Sequence, residues 1–372
     1  MWLLFIQPND VLLFRDGKPF VAGEDHRAGS LFPPTPFTMQ GVIRSKVLFE
    51  SGISPADFAD GAAAAEALRI QIGAPRSGYG KLHLRGPFVA KRDRTGGLVR
   101  YFRLPADLVR VGGKPTMVKP LAAHPFIDNL PAGLSPLWHR TLDPLAEIKG
   151  WLAEEDFHKY LAGQDVVIIP ESELLVREPR FGITLDYLRR STQEGMLYQM
   201  EFLRLCQGVG FVLEIEGIPP FGPANGFLQV GGDARVATYE VLTTELTPSP
   251  NANAFGRRIK IVLLTPAWFS DGWQPNGGDW GQFFSGEVRL VAAALRRAQS
   301  VGGAFADDQE RHNHRNFQKP LRRFVPAGSV FFFESHEPVT IARKPFTETP
   351  ADEGDFGQIG FGCAAVTSWD NA

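Results

Sequence analysis

The sequence predicts an α+β protein built in two halves of similar plan. Three observations lead there. The chain opens with two short apolar runs, Trp2 to Ile6 and Val11 to Phe14, separated by the turn Pro8-Asn9-Asp10, and then passes into a helix. A proline-bearing stretch with few large apolar residues, TPSPNANAFG at 247–256, interrupts it. Directly after, RRIKIVLLTPAWF restarts a strand-led pattern. The expected division is an N-terminal domain at 1–246, a linker at 247–256 and a C-terminal domain at 257–372. A chain of 372 residues is long enough for two cores, and 29 phenylalanines supply material to fill them.

In order along the chain, TPFTMQGVIRSKVLFESG carries the signals of a helix. Thr35 serves as N-cap, Pro36 suits the first helical position, Met39, Ile43 and Val47 share one face, and Gly52 follows the end. The alanine-rich run Ala62 to Leu68 reads as a second short helix. Residues 88–104 read as a hairpin turning at Thr95-Gly96-Gly97. Proline-rich irregular sequence fills 112–145, and a mixed helical segment follows from Leu145 to Leu161. Strands are expected at Val166 to Ile169, Phe211 to Ile215 and Ala234 to Leu242. EVRLVAAALRRAQ fits helix or strand by periodicity, and RRFVPAGSVFFFE reads as strand, turn, strand.

Composition excludes several classes. Apolar and charged fractions of 44% and 22% are those of a globular chain, and a net charge of −2 confines any nucleic-acid surface to a local patch. Cys206 and Cys363 form no C-x-x-C pair, which argues against structural zinc and suits a reducing cytoplasm. The opening MWLLFIQPND lacks a basic n-region and breaks after six apolar residues, so neither a signal peptide nor a membrane anchor is expected.

Local positive charge gathers twice. Lys81, Arg85, Lys91, Arg92, Arg94, Arg100 and Arg103 meet one acid, Asp93, and Phe88, Tyr101 and Phe102 interleave with them. Such a patch reads either as a charged strand edge or as an RNA surface. RHNHRNFQKPLRRFV at 311–325 holds Arg311, Arg315, Lys319, Arg322 and Arg323 with no acid, the pattern of a phosphate tracker or of a contact for an acidic partner. Arg15, Lys18 and Arg27, the helix residue Arg44, and Arg180, Arg189 and Arg190 sit beside small residues, as phosphate clamps and ion-paired loops both do.

The stretch GDFGQIGFG, Gly354 to Gly362, has the order G-x-x-G-x-G, the reverse of the dinucleotide fingerprint, and too little chain follows for a βαβ unit. Glycines so placed allow positive φ or close approach of main-chain N–H groups to an anion. His312 and His314, with Asp307 and Asp308, have weak metal spacing. GGDARV offers Asp233 alone, where a metal-dependent nucleotidyl cyclase needs a second carboxylate. His26 is a candidate general base without an identifiable partner. The residues alone describe a binding protein more readily than an enzyme.

Taken in order, the motifs FRDGKPF, FPPTPFTMQGVIRSKVL, PRFGITLD with GMLY, VGGDARV, GGAF, KPLRRFVPAGSVFFFE and GQIGFG resemble the third subunit of the type III-B CRISPR effector, the Cmr complex, within the repeat-associated mysterious protein (RAMP) superfamily. The resemblance covers nearly the whole chain. It implies two ferredoxin-like, RRM-type domains with insertions and a subunit that is not a nuclease, needs no cofactor or metal, and works in the cytoplasm away from membranes. It implies docking on the large palm-domain subunit, company with other RAMP subunits, and a hold on the 5′ repeat tag of the CRISPR RNA in antiviral defence. Carried over by motif, the RNA-facing residues are Arg15, Arg44, Arg180, Lys319, Arg322 and Arg323, with the glycine-rich loop Gly357, Gly360, Phe361 and Gly362. The acidic residues Glu348, Asp352, Glu353 and Asp355 before that loop suit a basic surface on a neighbouring subunit. The alternative within the superfamily is a metal-independent endoribonuclease for CRISPR repeat RNA with His26 as base.

Overall fold

A computed structural model describes residues 1–15, 17, 27–75, 78–121, 129–186, 191–232, 235–242, 256–304, 318–343 and 345–370. The chain is α+β and strand-rich, with few helices and several antiparallel sheets. It forms two compact units, each assembled from three stretches: Met1–Gly96, Ser172–Thr243 and Ser300–Arg322 in one, Gly97–Glu171, Thr244–Gln299 and Arg323–Ala372 in the other. One crossing between them, at Thr243 and Thr244, falls beside the linker expected at 247–256, of which all but Gly256 lies outside the described residues.

In the first unit, five antiparallel strands lie in the order His83–Arg92, Val209–Glu216, Trp2–Pro8, Val236–Leu242, Asn225–Gln229. Trp2–Pro8 is central, with Phe5 facing Val212 on one side and Glu240 on the other. The helix Pro36–Ser51 forms where its caps predict. Thr35 Oγ1 accepts from the Thr38 N–H at 3.4 Å, and Gly52 closes it with φ 72°. Met39, Val42 and Ile43 are buried, and the helix packs on His83–Arg92 and Asn225–Gln229. The helix expected at Ala62 to Leu68 is instead a 3₁₀ turn, Ala63–Ala65, leading into Glu66–Ile72. A separate helix, Pro55–Asp60, precedes it with Ser54 as cap. Phe58, Ala65, Leu68 and Ile72 make their common core.

Val11 to Phe14 is not a strand. Only Leu12 bridges the long hairpin Leu175–Asp186 with Ser191–Leu205, exchanging N–H donations with Leu203 at 2.8 and 2.9 Å. All four side chains are buried, so the run is apolar because it is enclosed rather than because it alternates on a sheet. A two-stranded ribbon, Gln299–Ala304 with Gln318–Phe324, carries the last stretch of this unit.

The second unit holds four antiparallel strands ordered Arg289–Ala294, Val330–Val339, Gly256–Leu263, Ala364–Ser368. EVRLVAAALRRAQ therefore resolves as strand, because Leu290 and Ala292 must pair with Phe333 and Phe332. Its core is aromatic: Phe269, Phe283, Phe331 and Phe333 surround Trp280, whose ring stacks on Phe346 with centroids 5.4 Å apart. Each such pair adds about 0.5–1.5 kcal/mol beyond area burial. Within Leu145 to Leu161 only Glu154–Leu161 is helical; Ala146–Glu147 and Trp151–Ala153 are short strands. The strand expected at Val166 to Ile169 reduces to one bridge between Ile169 and Trp151. Among the described residues no helix is long and apolar enough to cross a membrane.

Candidate nucleic-acid interface

The first basic patch does not survive as a patch. Arg85 pairs with Glu214 at 3.3 Å, Arg92 with Glu240, the fully buried Arg100 with Glu154, and Arg103 with Glu171 at 3.4 Å. Four of its basic residues are thereby held in ion pairs, Arg100 fully buried and the other three still reaching solvent.

Elsewhere in the first unit, segments from opposite ends of the sequence meet. The Gly17 N–H donates to Ser300 O at 3.3 Å, and a Cβ on Gly17 would collide with Leu321 Cδ1. Gly17 is thereby docked on the ribbon that carries Lys319 to Arg322. Arg15, bridged to Ser30 through the backbone, is exposed; Lys319 and Arg322 are half-buried. Lys319 Nζ lies 4.2 Å from the centre of the Phe37 ring. Arg323, exposed, begins the last stretch of the other unit. Arg15, Lys319 and Arg322 thus lie on segments that the Gly17 contact joins within the first unit.

Other predicted residues are committed to their own fold. The Arg44 guanidinium donates to Gly73 O at 2.9 Å, and the Gln40 amide oxygen, turned toward it, accepts at 3.1 and 3.2 Å. Burial pulls the Arg44 pKa below its ordinary value. Arg180 is exposed but donates to Glu178 at 3.1 Å and lies 4.9 Å from the Phe202 ring. Glu178 also accepts from Arg204, whose hydrogen bond, with that of Arg180, holds the carboxyl below its usual range.

The glycine-rich loop, in the second unit, is built inward. Every main-chain N–H from Gly357 to Cys363 donates within that unit: Gly357 to Asp355 Oδ1 at 2.9 Å, Gly362 to Pro266 O at 2.8 Å, Cys363 to Thr265 Oγ1 at 2.9 Å, and the others to carbonyls of the loop itself. Thr265 Oγ1 in turn donates to Gly360 O at 2.6 Å. Phe361 is fully buried, stacked on Phe324 at 4.7 Å. Of the two uses open to such glycines, positive φ or approach of N–H groups to an anion, the N–H groups here are turned inward, and Phe361 is enclosed among aromatic rings. The loop's glycines supply φ values of 104° at Gly360 and 69° at Gly362, which a side chain rarely adopts.

His26, Lys18, Arg189, Arg190, Asp233, Asp307, Asp308, Arg311, His312, His314 and Arg315 lie outside the described residues. Sequence reasoning placed Phe37 on the helix but missed it as the partner of Lys319; its position in the first helical turn, beside the N-cap, was the available signal.

The family model for CRISPR-associated protein (Cas_Cmr3) matches residues 4–369. The chain belongs to this family. Membership in Cas_Cmr3 bears out the resemblance read from the ordered motifs. No curated protein matches the chain at a significant level. Among solved structures it is similar to a chain of the type III-B Cmr-beta bound to cognate target RNA and AMPPnP, with 15% identity, TM-score 0.45, and coverage of 89% of this chain and 86% of that one. A second, of type III-B Cmr-beta bound to cognate target RNA, shares 19% identity at TM-score 0.43 with the same coverage, 89% and 86%. A third belongs to the Csm3-Csm4 subcomplex of the type III-A CRISPR-Cas interference complex, at 10% identity and TM-score 0.42, covering 93% of this chain and 100% of that one.

Proposed function

We propose that the chain is a non-catalytic RNA-binding and scaffolding subunit of a type III-B CRISPR effector. In this reading it docks on the large palm-domain subunit beside the other RAMP subunits and holds the 5′ repeat tag of the CRISPR RNA in antiviral defence. The observation that carries the reading is the docking of Gly17, two residues after Arg15, on Ser300 and Leu321 of the ribbon that also carries Lys319 and Arg322, in a member of the Cas_Cmr3 family. Basic side chains so gathered track phosphates, while the bases of a single strand stay splayed for reading elsewhere. Arg323 extends the same run. Arg44 and the loop Gly357 to Gly362 support the fold around the RNA rather than touch it, and Arg180 serves the hairpin it lies on. In this reading the chain carries two ferredoxin-like domains, each enlarged by insertions.

Co-expression with the large subunit, cross-linking, and sequencing of the RNA attached to this chain test the reading. Recovery of the repeat tag, with cross-links at Arg15, Lys319 or Arg322, is expected; recovery of RNA without the tag sinks it. Site-specific cleavage of repeat RNA by the purified chain in EDTA would overturn its non-catalytic half in favour of the endoribonuclease.

A further inference from the structure

Lys319 reaches Phe37 by a particular path. Its stem crosses Gly303 on the neighbouring strand of the ribbon, where a Cβ would stand 3.3 Å from Lys319 Cδ and 3.9 Å from Cγ. The Gly303 backbone does not need a glycine, but a Cβ there would press on the stem and shift it by a few tenths of an ångström. At its far end the ammonium sits 4.2 Å from the centre of the Phe37 ring, within the range of cation–π attraction. Phe37 is the second residue of the helix Pro36–Ser51, whose first turn carries no acidic residue. The peptide dipoles of a helix make its first turn positive and disfavour a cation there. An aromatic face that holds a lysine in such a field leaves the neighbourhood favourable to an anion between the two.

We propose that Phe37 and Gly303 are positioning residues that hold Lys319 ready for a phosphate of single-stranded RNA. The inference rests on the reading of this ribbon as an RNA surface. A lysine stem free in solvent loses much of its rotamer freedom when it clamps a phosphate. A stem already laid across Gly303 and fixed at the ring has given up that freedom in the free protein. The contact to phosphate is then tighter with no added charge.

The test is fluorescence anisotropy of the full chain with a 3′-labelled single-stranded RNA that begins with the repeat tag, over a series of KCl concentrations. Lys319→Ala should lower the salt slope by about 0.7, the value of one single-strand phosphate contact. Phe37→Leu should raise Kd about two- to fivefold, the size of an exposed cation–π contact, with the slope unchanged. Phe37→Tyr should bind as the wild type does, which separates loss of the ring from damage to the helix. Gly303→Val, which fills the path of the stem, should behave like Phe37→Leu, and neither should have any further effect in the Lys319→Ala background.

Equal weakening by Phe37→Leu with and without Lys319 overturns the positioning role. So does a Phe37→Leu variant of unchanged Kd alongside a Lys319→Ala variant of reduced slope, and in that case the RNA reading of Lys319 stands. A Lys319→Ala variant with unaltered slope and Kd, or a wild-type chain that fails to bind, overturns the reading of the ribbon and the inference with it. Binding of poly-glutamate with the same Lys319 dependence, and no binding of RNA, assigns the site to an acidic protein partner and overturns both.

Discussion

Lys260 Nζ donates to Asp107 Oδ2 at 3.2 Å in the interior of the second unit, with the Asp107 side chain fully withdrawn from solvent. The Tyr160 hydroxyl donates to the other carboxylate oxygen at 2.7 Å, and Lys260 lies 4.3 Å from the centre of the Tyr160 ring. The pair ties the central strand Gly256–Leu263 to the loop that follows Leu98–Arg103 and to the helix Glu154–Leu161. Removing one partner of a buried ion pair leaves an uncompensated charge, at a cost of about 3–5 kcal/mol. Asp107→Asn is therefore expected to lower stability by about that amount in urea unfolding followed by tryptophan fluorescence. The double variant Asp107→Asn with Lys260→Met should recover most of the loss. Equal destabilisation by the single and the double would show that the charge pair is not what fixes this corner.

Tyr160 gives the same cluster a signature in pH. Burial, with the Asp107 carboxylate second, raises its pKa well above the ordinary phenol value of 10.0. A folded pKa above the unfolded one contributes stability that is complete below the unfolded value and is lost as pH rises through the folded one. The contribution should hold up to about pH 10 and fall beyond it. Absorbance titration at the tyrosinate band should show the same number of phenols ionising in the folded wild type as in folded Tyr160→Phe, although the wild type carries one tyrosine more. A full complement of tyrosines titrating near the ordinary value, with the fold intact, would contradict the buried hydrogen bond.

The glycine-rich loop is expected to report on stability rather than on RNA. A Cβ on Gly362 would stand 2.7 Å from Thr347 Cβ and 2.8 Å from Phe346 C, on a backbone with φ 69°. Gly362→Ala should cost about 1–3 kcal/mol from the strained backbone, with further cost from the collisions, and leave the salt slope of RNA binding unchanged. A variant as stable as the wild type that has lost RNA would restore the main-chain N–H groups to the binding surface.

What could be read from the sequence divides along how local its cause is. The helix Pro36–Ser51 was legible to within a residue because Thr35, Pro36 and Gly52 act within a turn of their own position. Val11 to Phe14 misled because enclosure on all sides and a half-buried strand both select apolar residues. The glycines of the closing loop were visible, but Gly362 donates to Pro266 and its neighbour Cys363 to Thr265, both far back in the chain, so spacing could not distinguish N–H groups turned inward from N–H groups turned to an anion. Lys260 and Asp107 had no signal at all: each is one charged residue among ordinary neighbours until the fold brings them together. The docking of Gly17 on the ribbon was also beyond spacing, though the order of motifs had already named both segments.

Arg15 and Arg44 separate phosphate contact from fold support most cleanly. Both were carried over as RNA-facing, yet Arg15 is exposed beside the ribbon while Arg44 donates to Gly73 O and to Gln40 under partial burial. A residue that neutralises a phosphate contributes to the salt slope, about 0.7 for a single strand, and little to stability. One that satisfies buried carbonyls does the reverse, because its loss leaves an acceptor without a donor at about 1–3 kcal/mol. Arg15→Ala is expected to lower the slope, and Arg44→Ala to lower the melting temperature with an unchanged slope. Anisotropy over a KCl series and calorimetry on the same two variants decide it. A slope lost with Arg44 and kept with Arg15 would move the RNA path off the ribbon and onto the face of the helix Pro36–Ser51.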